Sequence, residues 1–212
     1  MSNPFFEGPV SKLAPTHPSV HELIAARWSP RAFSDREVPD SELAIVFDAA
    51  RWAASSNNEQ PWRFLVARKS DPAAYDKMLG LLVEFNQGWA RSAPVLFIMA
   101  AKKTFSRSGA PNRFCLHDAG QALANLMLQA TALGLHTHAM AGFDEQRART
   151  ELHIPDDYEV GAAVALGYLG RPEDLPGRYS ATEIAPRQRK SITEVVFGAD
   201  WNSASGLKEP AV

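Results

Sequence analysis

Arg27, Ser29 and Arg31 put two cations and a hydroxyl within five residues, a set suited to gripping an anion. Arginine offers a planar fork of N–H donors that matches phosphate oxygens, and serine adds a neutral donor. Pro30 cannot continue a helix and pushes Ser29 toward extended backbone. Arg27, Ser29 and Arg31 then alternate with Trp28 and Pro30 and project one way. Taken alone, this pentapeptide reads more simply as a solvated basic turn. Arg187 and Arg189 raise it above that, because they too are spaced by two, after Pro186, and in extended backbone would face one way. Two such pairs can share one phosphate.

Other chemistries find less support. Gly167 and Gly170 form only a spaced pair, without the glycine-rich turn of a Rossmann dinucleotide site, and there is no P-loop. Ser55 and Ser56 lack the G-x-S-x-G context of a hydrolase elbow and read as turn formers. His136 and His138 would share one face of a strand, but no third ligand stands at a telling spacing, so packed or hydrogen-bonded histidines are the better reading and no metal site is expected. Cys115 reads as a small buried residue. A chain of 212 residues, 45% hydrophobic, suits one domain. The net charge of -2 offers no field for nucleic acid or an anionic membrane surface, and a single cysteine fits a reducing, cytoplasmic setting. No stretch approaches the length of a membrane span.

These residues need elements to hold them. Residues 1–18, with four prolines, read as an extended arm on which Phe5 and Phe6 can dock; 19–201 read as one domain and 202–212 as a frayed tail. Ser19 with Glu22 has the form of a capping box opening a short helix into Arg27. Asp40 is expected to cap a second helix ending near Ala54, followed by a polar loop over 55–61. Strands are expected over 62–67, 94–101, 137–141 and 160–169, and helices over 72–85, 114–133 and from Asp144 to about Leu152. Asn86 falls between elements, 102–113 reads as a mobile basic loop, and from 172 the chain loses periodicity until 192–197.

The order of these residues resembles the FMN-dependent nitroreductase family from about residue 17 to residue 197. Arg27, Ser29, Arg31 and Phe33 begin the match; Ala54, Ser55, Ser56, Asn58, Gln60, Pro61 and Trp62 follow, and then Asn86. Gly134, Met140, Ala141, Gly142, Phe143 and Asp144 continue it, and Gly167, Gly170, Arg187, Arg189, Glu194 and Val195 complete it. The resemblance implies an α+β fold with a central mixed or antiparallel sheet flanked by helices, in an intertwined homodimer with two FMN sites at its interface. It implies that Arg27, Ser29, Arg31, Arg187 and Arg189 hold the flavin phosphate and ribityl, and that Asn86 meets the pyrimidine edge. Ser55, Ser56 and Asn58, after Ala54, would come from the partner subunit. The backbone at Ala141 and Gly142 would lie near flavin N5, where a small residue lets it approach. Some members carry glutamate in place of Ala141, so a backbone contact is retained here and a side-chain role is not. Trp28 and Met140 either shape the pocket or simply pack.

The activity so implied is hydride transfer from NADH or NADPH to an electron-poor small molecule, a nitroaromatic or quinone, by a ping-pong mechanism. No side chain need act as acid or base, because the cofactor does the chemistry and the protein orients it. The alternatives are another flavin chemistry on the same fold, such as reductive dehalogenation or flavin fragmentation, or a non-catalytic FMN-binding protein.

Overall fold

The computed structural model describes residues 12–210. Phe5, Phe6 and most of the expected arm lie outside the described residues. Among the described residues, seven α-helices and four strands are arranged as an α+β domain: α1 (Glu22–Ala26), α2 (Asp40–Arg51), β1 (Trp62–Arg68), α3 (Pro72–Gly80), α4 (Glu84–Ala90), β2 (Val95–Lys102), α5 (Cys115–Ala132), β3 (Leu135–Met140), α6 (Glu145–Glu151), β4 (Tyr158–Tyr168) and α7 (Gly177–Ile184). The sheet has the order β1-β2-β4-β3, and every neighbouring pair is antiparallel.

Period-two alternation explains the two layers. On β2, Val95, Phe97, Met99 and Ala101 face a core closed by α2 and α5, with Leu43, Val46, Ala50, Ala119, Leu123, Leu126 and Ala130. Leu96, Ile98 and Ala100 face the other core, closed by Tyr75, Met78, Trp89, Ala148 and Tyr179. A strand buried on both faces has no polar alternation, which is why β2 reads as a continuous apolar run.

Several boundaries differ from the expectations. The first helix is capped by His21, whose side chain accepts from the Leu23 N–H, and not by Ser19, whose own N–H is drawn to His17 Nδ1. Pro39 occupies the cap position of α2; Asp40 lies in the first turn, where its carboxylate pairs with Arg68, and the helix ends at Arg51, short of Ala54. The helix expected over 72–85 is two helices, because after Leu81 the chain turns extended to pair with the chain after β3: Leu82 bridges Phe143, and the Val83 N–H donates to the Gly142 carbonyl at 3.0 Å. Asn86 therefore stands on α4 and not between elements. The 102–113 segment folds on itself, with Thr104 bridging Pro111, and Glu59 accepts from both the N–H and hydroxyl of Ser106. The tail is also tied, with Phe197 bridging Ala204 and Glu209 accepting from the Ile192 N–H. The stretch after 172 contains a whole helix, α7, that the spacing of apolar residues did not show.

Candidate functional site

Residues 27–31 leave α1 in extended backbone, starting from Arg27 at ψ 122. The expected alternation is present: Trp28 and Pro30 are buried, Ser29 is exposed, and Arg27 and Arg31 are half-buried. β3 sets this alternation, because its own alternate residues meet it. The Trp28 ring stands edge-on to His136, and His138 Nδ1 donates to the Pro30 carbonyl at 2.7 Å. A carbonyl only accepts, so the hydrogen bond fixes the proton of neutral His138 on Nδ1. Burial lowers both histidines to about 4, and the neighbouring Arg27 and Arg31 charges add to the effect. They are packed and neutral, and among the described residues no group of histidine, cysteine, aspartate and glutamate is arranged to hold a metal ion. Further along, Phe33 bridges Leu169, the Ser34 N–H donates to Tyr168, and the Gly170 N–H donates to Ala32, fastening the segment to the end of β4.

The late arginines arrive at the same place. Burial lowers the pKa of Arg27, and the charge of Arg189 lowers it further; Arg187 is lowered by burial and then by Arg27 and Arg189. Lys12 joins them, lowered by its own burial, raised by Glu183, and lowered again by Arg187 and Arg31, with its Nζ 4.8 Å from the Trp28 ring centroid. Among the described residues none of Arg27, Arg31, Arg187 or Arg189 makes an ion pair. Arg187 and Arg189 spend donors on backbone carbonyls, and Arg31 Nε is buried without a partner. A cleft of about 410 Å³, lined by Thr16, Arg187, Arg189, Lys190 and Ser191 among others, opens beside them.

Asn86 is one indole away from this cluster. Its Oδ1 accepts from Trp89 Nε1 at 3.3 Å, and the Trp89 ring packs on His138 with centroids 4.5 Å apart. Asn86 Nδ2 donates to the Gly142 carbonyl at 2.9 Å. A Cβ on Gly142 would sit 2.6 Å from that nitrogen and 3.0 Å from Val83 Cγ2, so only glycine lets the turn after β3 approach α4 this closely. Met140 is buried in the core, Ala141 is exposed, and among the described residues nothing accepts a hydrogen bond from the Gly142 N–H. Arg27, Arg187 and Arg189 are thus mutually close, and Asn86 and Gly142 connect to Pro30 of the same segment through Trp89 and His138.

Ala54, Ser55, Ser56 and Asn58 are elsewhere. They form a tight turn before β1 in which the Ser56 N–H donates to buried Asp118 of α5 at 2.9 Å, and Asn57, Asn58 and Gln60 take positive φ. Following the register from His138 across Ala165 and Leu96 to Ala67, and then back to Trp62, gives three strand spacings and five residues, a separation on the order of 20 Å. Within one chain the turn does not reach the arginine cluster.

The family model described as the nitroreductase family matches residues 24–168, from within α1 to the end of β4. The chain belongs to the nitroreductase family. A crystal structure described as an oxidoreductase containing FMN is 37% identical, covers 90% of this chain and 96% of its own, and superposes with a TM-score of 0.84. The major NAD(P)H-flavin oxidoreductase of Aliivibrio fischeri is 25% identical over 85% of this chain and 98% of its own length. The nitrobenzene nitroreductase of Ectopseudomonas oleovorans is 28% identical over 73% and 88%. The nitroreductase-family match stops before α7, and the spacing of residues pointed past α7, to Arg187 and Arg189, without marking the helix itself. Glu183 and Tyr179, both on α7 and fully buried, were missed. Their four-residue spacing was the available signal.

Proposed function

We propose that the protein is an FMN-dependent oxidoreductase passing hydride from NADH or NADPH to an electron-poor acceptor such as a nitroaromatic or quinone, acting as a cytoplasmic homodimer with residues 19–201 as the flavin-binding unit. The observation that carries this is the cluster of Arg27, Arg31, Arg187 and Arg189 without a carboxylate partner, in a nitroreductase-family fold. An anion sharing such a cluster relieves its mutual repulsion, and the buried, unpartnered Arg31 Nε is a donor left over for one. The name of the A. fischeri relative and the FMN-containing neighbour support the flavin and the nicotinamide, and the name of the E. oleovorans relative supports a nitroaromatic acceptor.

The residues fit FMN. Arg27, Ser29, Arg31, Arg187 and Arg189 would take its phosphate and ribityl, Asn86 its pyrimidine edge, and the Gly142 N–H its reacting edge. FMN when bound supplies reversible hydride chemistry. The protein binds, orients and excludes water: His136 and His138 stay neutral, Trp28 and Trp89 wall the site, and no side chain is assigned a proton transfer. The turn of Ser55, Ser56 and exposed Asn58 would serve the partner's flavin, because its own is out of reach. One open face beside Gly142 would admit nicotinamide and acceptor in turn, giving ping-pong kinetics.

The test is anaerobic mixing of the purified protein with NADH or NADPH. A yellow protein with one noncovalent FMN per chain should bleach rapidly and recolour on adding a nitroaromatic or quinone. A colourless protein that does not take up FMN would remove the proposal, and a yellow one that does not bleach would leave a flavin-binding protein instead.

A further inference from the structure

The two parts of the candidate site, residues 27–31 and the α4–Gly142 junction, are joined by α7. Glu183 is 1% exposed, and among the described residues its carboxylate forms no ion pair and accepts from backbone N–H groups instead. Oε1 accepts from the N–H groups of Arg31 and Ala32, and Oε2 from Arg31, all at 3.0 Å. One turn earlier on the same helix face, Tyr179 is fully buried and its hydroxyl donates to the Phe85 carbonyl at 2.7 Å, beside Asn86. A Cβ on Gly88 would lie 2.3 Å from the Tyr179 oxygen, so α4 is cut back at this position to admit the phenol. Lys12 completes the arrangement by donating to the Glu183 carbonyl at 2.8 Å.

We propose that α7 is a brace setting the distance between the phosphate end and the ring end of the flavin site, with Glu183 and Tyr179 as its two positioning residues. This rests on the assignment of FMN to the arginine cluster. A buried carboxylate is costly unless its oxygens are satisfied, and here backbone N–H groups satisfy it at the one turn that aims Arg31. Glu183 touches no part of the expected ligand. Its work is done through the backbone of residues 31 and 32.

Two opposed outcomes separate positioning from simple charge. Removing an acidic charge near a phosphate would tighten FMN binding if the field were all that mattered. Loss of a brace does the reverse. Glu183→Gln, which keeps size and one carbonyl acceptor, should weaken FMN about tenfold and riboflavin less than about threefold, since loss of a charged hydrogen bond is felt where the phosphate is held. Tyr179→Phe should weaken both flavins equally, because it loosens the ring end they share. In the flavin-free protein, amide exchange at Arg31 and Ala32 should speed up in Glu183→Gln and stay unchanged in Tyr179→Phe.

Titration of the three proteins with both flavins, together with apo-state exchange, decides it. A Glu183→Gln protein that keeps the wild-type preference for FMN, or binds FMN more tightly, overturns the brace alone. So does equal weakening of both flavins with a general rise in exchange, which marks ordinary destabilisation. A wild-type protein with no preference for FMN over riboflavin overturns the arginine assignment and the brace with it.

Discussion

Residues 27–31 and residues 55–58 are short polar stretches of similar length, and the fold treats them in opposite ways. The first is enclosed: β3 meets it at Trp28 and Pro30, Glu183 of α7 accepts the Arg31 N–H, and the end of β4 pairs with the chain just beyond it at Phe33. The second is displayed, a turn with positive φ on consecutive asparagines, held from behind by Asp118 and carrying Asn58 outward. A site that a chain completes by itself is built like the first. A surface offered to another molecule is built like the second, rigid in backbone and exposed in side chain.

Acid is the largest lever on this contrast, because His136 and His138 support only the first stretch. Folded, both titrate at about 4, against 6.5 for a free imidazole. Between those values the unfolded chain binds more protons than the folded one, so stability is full above pH 6.5 and declines as pH falls toward 4. The loss is on the order of 3 kcal/mol per histidine at the low end. Urea midpoints across pH 4 to 7 should fall accordingly, with exchange at residues 27–34 rising before exchange at 55–58. A flat profile would mean the imidazoles are not held neutral.

Arg27→Ala comes next. Losing one hydrogen bond to a charged group, worth roughly 1.5–3 kcal/mol, should weaken FMN ten- to a hundredfold while riboflavin binding changes little. Arg187 and Arg189 remain, so binding is reduced and not abolished. Equal losses for both flavins would mean that Arg27 supports the fold.

The displayed turn should give the smallest effect. Ser55→Ala with Asn58→Ala removes neutral contacts worth about 1 kcal/mol each, so FMN should weaken by about thirtyfold at most. The informative measurement is mixing. If the turn serves the partner, subunit exchange between this variant and Arg27→Ala leaves about a quarter of all sites free of any substitution in a randomly mixed dimer. If it served its own chain, no site would recover wild-type affinity.

What could be read in advance follows from which residues carry a period. The doubly buried β2, the 18-residue α5 and the Asp144 cap were legible because apolar spacing or a capping side chain marks them directly. Asn86 and the arginine pairs were legible as residues, with the late pair converging on the early one. The break at 81–83 was not, since it is made by pairing with residues 142–144, some sixty positions later. Nor was α7: only Tyr179 and Glu183 are buried along it, and a buried acid among polar neighbours leaves no apolar stripe to find. Resemblance named only residues that would touch a ligand, and so passed over those that hold them in place.

The Glu183 bonds to Arg31 and Ala32 close a span of 152 residues. In a flexible chain, bringing such distant points together costs about 4.5 kcal/mol beyond a constant, through loop-closure entropy alone. Contacts of that range form late on a folding route. The segment carrying Arg27 is therefore synthesised early and waits, unclosed, until α7 has been made. Any ligand gripped by Arg27 and Arg187 together ties the segment after α1 to the segment after α7, so its binding would report that the chain has been made through Arg187 as well as that the site is formed.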